Sequence, residues 1–216
     1  MNHFPVHHGL IHVSLGAMQR DYIPLFMPGI NNPDVTRGLL IRPPLTLEQE
    51  LAWYDGLAKR ENDVLFAILL HERDEAGSLT GYRYIGHTGL HGITWPDGRA
   101  TSGTVIADPT CLGKGYGTEA KLLLLYEAFR NRGLRKVCSH VKAFNGNSWG
   151  HLLACGYEQT GRHEAQHFYN GSFVDEVSFG VFREDWEPVW QTYQETGSLP
   201  RLTVEQRALL EKETGS

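Results

Sequence analysis

Residues 104–132 combine a short strand, a glycine-rich turn and a helix, and few chain architectures accept that combination. Thr104 to Ala107 is β-branched and apolar, which suits a strand, and Asp108-Pro109 stops it. Gly113, Gly115 and Gly117 follow at alternate positions and let the backbone turn tightly with its N–H groups exposed. From Thr118 the pattern is helical, with Ala120, Leu123, Leu124 and Ala128 on one face. Arg130 and Arg132 fall in the last turn, and Gly133 ends the helix. Free N–H groups at a helix N-terminus form an anion site, so the expected cargo is a phosphate or pyrophosphate.

Three glycine motifs compete for this loop. A nucleoside triphosphate loop needs G-x-x-x-x-G-K-[ST], but Lys114 is followed by Gly115, so the Mg²⁺-binding hydroxyl is missing. The dinucleotide fingerprint needs G-x-G-x-x-G, whereas the chain has G-x-G-x-G from 113 to 117 and no acidic residue in register after a second strand. The third pattern, [QR]-x-x-G-x-[GA], wraps the pyrophosphate of coenzyme A. Gly115 and Gly117 fill its glycine positions, and Thr118 adds a hydroxyl. With the run Gly113-Lys-Gly-Tyr-Gly-Thr-Glu-Ala120, the chain resembles the GNAT superfamily of acyl-CoA-dependent N-acetyltransferases, and within it the RimJ/RimL-like branch. Asn145-Gly-Asn-Ser148 followed by Gly156-Tyr157 supports the resemblance. In the family, an Asn and a small residue three later open a helix beside the coenzyme, and a Gly-aromatic pair closes it.

The resemblance covers residues 10–185 and implies an α/β (mixed α+β) fold. Its central sheet would be mostly antiparallel, splayed between two parallel strands and flanked by helices. Residues 1–185 would form the acetyltransferase domain, with 186–216 a helical extension packed on it, covering a sheet edge or joining a homodimer interface. The implied co-substrate is acetyl-CoA. Val105, Ile106, Leu112, Gly113, Lys114, Gly115, Tyr116, Gly117, Thr118, Asn145 and Ser148 would bind it. Backbone N–H groups near Val105 and Ile106 would polarise the thioester carbonyl. The acceptor would be a small-molecule amine or a peptide N-terminus, in a pocket shaped by Asn31 to Arg37 and Trp53-Tyr54. Two positions depart from the family: Leu112 replaces Gln or Arg, and Leu152 stands where many relatives carry a tyrosine that protonates the departing thiolate.

Composition narrows the alternatives. At 216 residues, with 41% apolar and 21% charged, the chain is long enough for one domain with a full core. The net charge of -5 argues against a general nucleic-acid binder and suits a cationic acceptor, or simply solubility. Cys111, Cys138 and Cys155 lack metal or disulfide spacing and fit a reducing cytoplasm. No apolar run approaches a membrane span, and no signal-peptide core is evident, so a soluble cytoplasmic protein is expected.

Along the chain, strands are expected at 10–17, 64–71, 81–95, 99–107 and 137–143, with two more flanking Asn170-Gly171, a hairpin turn. Helices are expected at 21–27, 47–59, 148–155, 183–194 and 202–212. Thr46 with Gln49, after Pro43-Pro44, and Thr203 with Gln206 read as capping boxes. Gly29 to Asp34 reads as a loop, and Gly103 hints at a bulge or a close backbone approach.

Eleven histidines are many for this length. His87/His91 and His163/His167 have H-x-x-x-H spacing, but both pairs lie in strand patterns. Four residues of strand span about 13 Å at ~3.3 Å each, against zinc–nitrogen bonds of about 2.1 Å, so no metal is expected. His3, His7, His8 and His12 read as an exposed cluster. His87 and His91 share the strand face beside the expected acyl site and are candidate bases, against the plainer reading of hydrogen-bonded core histidines; His151 is similarly open, and Asp108 is a third candidate base. Ser148 is a candidate hydrogen-bond donor near the sulfur, or simply the cap of its helix. A catalytically weak acyl-CoA sensor is the alternative to a transferase, and a histidine-based metalloprotein is a third.

Overall fold

Hydrophobic pattern and turn chemistry set the order of elements in the computed structural model, which describes residues 5–41 and 44–214. The first part runs β1 (Pro5–His8), β2 (Val13–Ala17), α1 (Tyr22–Ile30), α2 (Pro33–Thr36), α3 (Leu47–Asp55), β3 (Val64–Arg73), β4 (Leu79–Thr94) and β5 (Arg99–Ile106). Then come α4 (Tyr116–Tyr126), β6 (Lys136–Lys142), α5 (Gly146–Ala154), β7 (Glu158–Tyr169), β8 (Ser172–Phe182), α6 (Arg183–Thr196) and α7 (Val204–Thr214). A π turn at Glu127–Asn131 continues α4. Local chemistry explains the punctuation. Thr46 and Gln49 exchange both capping-box hydrogen bonds, as do Thr203 and Gln206. Asn170 and Gly171 both take left-handed φ, which a two-residue hairpin between β7 and β8 requires.

The strands form one sheet in the order β1-β2-β3-β4-β5-β6-β8-β7. Every neighbouring pair is antiparallel except β5 with β6. That parallel pair is short: Arg99, Ala100 and Thr101 oppose Lys136, Val137 and Cys138, and then the strands part. The mixed, mostly antiparallel sheet splayed between two parallel strands is the architecture expected from the sequence. Of the two readings of Gly103, the bulge is absent, since Gly103 sits in regular register opposite Gly89. The irregularity lies in β4, where Ile85 is the extra residue between Tyr84 and Gly86.

Alternation along β3 divides the core. Phe66 and Ile68 join the larger cluster, with α4, α5 and α6, while Ala67 and Leu69 join a smaller one with Tyr22, Phe26 and Ile30 of α1. Four readings change. Residues 29–34 are not all loop, because α1 runs through Ile30 and α2 begins at Pro33. The helix expected from Thr118 starts at Tyr116. An additional strand, β1, precedes the first expected one. His7 is not exposed: it is largely buried, and its Nε2 lies 2.6 Å from Glu127. His3, Pro43 and the side chain of His8 fall outside the described residues.

One buried carboxylate ties the chain's two ends to α4. Glu119 is fully buried in the first turns of α4. Its Oε1 accepts from the Ile11 N–H (3.0 Å) and the Tyr193 hydroxyl (2.6 Å), and its Oε2 from the His12 N–H (3.0 Å). Tyr193 Oη accepts in turn from the Leu10 N–H at 2.7 Å. Trp186, Trp190 and Tyr193 of α6 belong to the main core, so a boundary at 185/186 cuts the first turn of α6. Tyr193→Phe leaves one oxygen of a buried carboxylate short of a donor. It is expected to lower unfolding stability by about 1–3 kcal/mol. Urea denaturation checks this; an unchanged midpoint would remove Tyr193 from the network's energetics.

Candidate active site

The site begins where β5 and β6 part. In a strand, the N–H and C=O of alternate residues point to opposite edges. The Ala107 N–H donates to Ile85 O (2.8 Å), and Gly103 O accepts from Thr88 Oγ1 (2.9 Å), so odd-numbered residues of β5 point their polar groups at β4. Ser102, Thr104 and Ile106 therefore turn theirs into the split. This corrects one assignment: the Val105 amide faces β4, and Thr104 shares the gap with Ile106. At the apex, side chains replace the missing ladder. Ser102 Oγ donates to Cys138 O (3.1 Å) and Ser139 Oγ to Ser102 O (3.3 Å). Ser102 Oγ also accepts from Lys121 Nζ and pairs with Tyr157 Oη, both at 2.9 Å.

On one side the split opens to the glycine loop. Gly113 (φ 71°) and Gly115 (φ 84°) are left-handed, and Gly115 caps α4. Thr118 and Glu119 are the first N–H groups to bond back, both to Gly115 O. The amides of Gly113, Lys114, Gly115, Tyr116 and Gly117 have no hydrogen-bond partner among the described residues. Together they make a concave anion cradle at a helix N-terminus. It lines a cavity of about 380 Å³ with Leu112, Thr118, Ile106, Asn145 and Ser148. The Lys114 side chain is exposed and does not line it. Asp34 and Arg37 border this cavity, not the acceptor side to which the 31–37 stretch was assigned.

Asn145, not Ser148, caps α5. Its Oδ1 accepts from the Ser148 N–H (3.2 Å), while Nδ2 donates to Ser148 Oγ (2.8 Å) and Gly38 O (3.2 Å). Asn145 thus pins the 37–38 loop, which Lys142 Nζ also grips through Arg37 O at 3.2 Å. A Cβ on Gly38 would lie 2.2 Å from Asn145 Nδ2, so only glycine permits this approach. Leu152 is buried in the main core, and α5 presents Ser148 and His151 to the cavities instead.

A second cavity of about 630 Å³ lies across the split, sharing Gly38, Leu39, Thr104, Val105, Ser148 and His151 with the first. Its far wall comes from α1, α3 and β4. His87 is packed between the rings of Phe26 (4.6 Å) and Trp53 (5.6 Å), with Nδ1 3.3 Å from Tyr84 Oη. Burial, helped by the charge of His91, pushes its pKa down to about 4. His87 is thus a neutral wall residue, ill suited to accept a proton from an ammonium group. His91 is placed differently. Its Nδ1 lies 3.3 Å from Asp63 Oδ2, and its Nε2 lies over Gly89 and Gly103, where added Cβ atoms would be 3.3 and 3.7 Å away. Asp63 also accepts from the Gly92 N–H at 2.9 Å. Burial works to raise the Asp63 pKa, but the Gly92 and His91 hydrogen bonds and the Arg60 charge hold it below its usual range.

Glu50 and Lys121 are charged groups that sequence reading missed. Glu50 of α3 lines the same cavity, is 9% exposed, and has no hydrogen bond or ion pair from its carboxylate among the described residues. Burial raises its pKa. The signal was available: with Leu47, Leu51 and Tyr54 it falls on one helical stripe, a carboxylate where an apolar residue belongs. Asp63 left no such signal. Asp108 is excluded as a base by its partners. Although burial opposes ionisation, hydrogen bonds from Thr110 and Arg83 hold its pKa down to about 2. No group of three or more potential metal ligands converges among the described residues.

A strand pair that opens over an anion loop, with a second cavity across the gap, is the frame of this site. The profile of the acetyltransferase (GNAT) domain matches residues 14–158, and the chain belongs to that family. Solved structures agree on the fold. Spermidine N-acetyltransferase from Vibrio cholerae, in complex with CoA and spermine, is similar with a TM-score of 0.70 at 19% identity, over 81% of this chain and 98% of that one. A structure from T. thermophilus, named only as an acetyltransferase, has a TM-score of 0.69 at 25% identity, over 90% of this chain and 96% of that one. No curated protein sequence gives a significant match. No helix among the described residues is long and apolar enough to cross a membrane.

Burial and the neighbouring Lys121 charge push the His151 pKa down to about 3, beside about 4 for His87. Both rings should therefore stay neutral from pH 8 to pH 5. Histidine NMR titration checks this; a transition of either ring near pH 6.5 would mean that it is solvated.

Proposed function

We propose that the chain is an acetyl-CoA-dependent N-acetyltransferase of the RimJ/RimL-like branch, moving an acetyl group to a primary amine by direct attack. One observation carries the reading: the split joins an amide cradle to a cavity that holds a buried carboxylate, both without partners among the described residues. The cradle suits the diphosphate of the donor. The carboxylate of Glu50, beside the Trp53 ring, suits a cationic acceptor. The bound CoA and spermine of the Vibrio cholerae relative support the same pairing of ligands. A sensor that only bound acyl-CoA would have no use for Glu50 or for the Asp63–His91 pair.

The chemistry follows from the geometry. An alkyl ammonium has a pKa of about 10.4 and must lose a proton before it can attack. Asp63 holds the His91 Nδ1–H, which leaves Nε2 free over Gly103 to take that proton. The Thr104 and Ile106 amides, facing the split, stabilise the oxyanion that develops on the thioester carbonyl. The loop from Leu112 to Thr118 fixes the donor, so orientation supplies much of the rate. Ser148 borders the path between the two cavities.

Two experiments test this. Calorimetry should show acetyl-CoA binding that is largely lost in Gly115→Glu, since a side chain there meets a left-handed φ and places a carboxylate in an anion site; full retention contradicts the cradle. A screen of di- and polyamines, amino sugars and peptides should release CoA thiol with at least one class. With the best acceptor, His91→Gln should lower kcat about 10²–10⁴-fold. Glu50→Gln should raise KM about 10–100-fold for cationic acceptors, with acetyl-CoA affinity unchanged. Unchanged kinetics in both variants would place the base and the acceptor site elsewhere.

A further inference from the structure

Among the described residues, Lys121 is the buried ammonium at the floor of the split, and nothing in the transferase reading above uses it. It projects from α4 and lines the larger cavity. It is 1% exposed. An ammonium has three hydrogens to donate, and here one goes to Ser102 Oγ at 2.9 Å. No carboxylate pairs with it among the described residues. The acid nearest in sequence, Glu119, is occupied by the amides of Ile11 and His12 and by Tyr193. Among the described residues the groups next to Lys121 are neutral, and the one carboxylate that lines its cavity, Glu50, stands on the far wall with no ion pair to it. The neutral groups are Ser102 of β5, Cys138 and Ser139 of β6, Ser148 and His151 of α5, and Cys155 and Tyr157 beyond it. Burial pushes the Cys155 thiol up to about 12, raises the Tyr157 hydroxyl and lowers His151, so none of them supplies a counter-charge near neutral pH.

A buried cation without an anion is costly, and it points to an anion that arrives with the reaction. The donor's phosphates have their own cradle at residues 113–117. The remaining anion is the one that acetyl transfer creates, the thiolate. We propose that Lys121 is the proton donor to the departing thiolate of coenzyme A, in the place left open by Leu152. This rests on the transferase reading of the site. The acceptor nitrogen forms its bond to the acetyl carbon, and His91 takes a proton from that nitrogen. The C–S bond breaks with its electron pair on sulfur, and the Lys121 N–H proton passes to the sulfur. Lys121 is left as a neutral amine hydrogen-bonded to Ser102 and is reprotonated from solvent in the cavity. Burial lowers the Lys121 pKa to about 8, close to the thiol value of about 8.5, so the proton moves between near-matched groups.

The test reads the thiol directly. CoA bound to the wild-type protein is titrated by thiolate ultraviolet absorbance, with desulfo-CoA as the blank. Beside Lys121⁺ the bound thiol should ionise about one pH unit or more below free CoA. Lys121→Met should abolish that shift. It should also lower kcat about 10²-fold or more, with acetyl-CoA affinity in calorimetry unchanged. A bound thiol that titrates like free CoA in the wild-type protein overturns the proposal, and so does an unchanged kcat in Lys121→Met. The wild-type titration needs no variant and decides the matter alone if Lys121→Met does not fold. Failure of the wild-type protein to bind CoA at all would instead sink the transferase reading beneath it.

Discussion

Three residue pairs hold β5 to β6, and the site exists because there are only three. Backbone polar groups removed from water need partners. Past Thr101 the even-numbered residues of β5 lose their neighbouring strand. At the apex, the Ser102 and Ser139 hydroxyls substitute for the missing ladder. Further along, the amides of Thr104 and Ile106 face an open cavity. The split cannot close, because α4 and α5 wedge Lys121, Ser148 and His151 against it while α1 and α3 cover the opposite face. Donor and acceptor can therefore meet from opposite faces of one sheet, in a gap lined by backbone donors fixed before either arrives.

The same frame explains why the glycine loop lies where it does. β5 ends at Ile106, a single 3₁₀ turn at Pro109–Cys111 redirects the chain, and α4 starts at Tyr116 with Gly115 as its cap. The first turns of α4 are anchored from below by Glu119, whose carboxylate binds the 11–12 backbone and Tyr193 of α6. The amide cradle therefore rests on a helix whose position is fixed by both ends of the chain. Asn145 does the corresponding work on the other side, joining α5 to the 37–38 loop.

What the sequence revealed was local physics. The alternate glycines, the two capping boxes and the Asn170-Gly171 hairpin each act over a few residues, so their signal is contiguous. What it concealed is non-local. Asp63 and His91 meet because β3 and β4 pair in a particular register; Ser102, Lys121 and Tyr157 converge from β5, α4 and the connection between α5 and β7. His87 and His91 look equivalent in the sequence. They differ because Phe26 and Trp53 close over one, whereas Asp63 reaches the other. Gly103 invited a bulge that β4 carries instead at Ile85, a choice set by pairing with β3.

Glu50 and Lys121, buried without an ion-pair partner among the described residues, have opposite signs and lie on different walls of the cavity that spans the split. Glu50 comes from α3 on the acceptor face, and Lys121 from α4 on the other. Each alone would be a liability, because burial strips away solvation and no partner replaces it. Together they set up a field across the gap. During acetyl transfer, positive charge develops on the attacking nitrogen and negative charge on the departing sulfur. In the proposed reaction nitrogen enters from the Glu50 side and sulfur leaves toward Lys121, so the fixed field would run along the charge displacement. Such a field would stabilise the transition state more than either separated reactant, which is the condition for a charge to speed a reaction instead of merely tightening binding. On that reading, the stability forgone at two buried positions is tied to the direction in which charge must move.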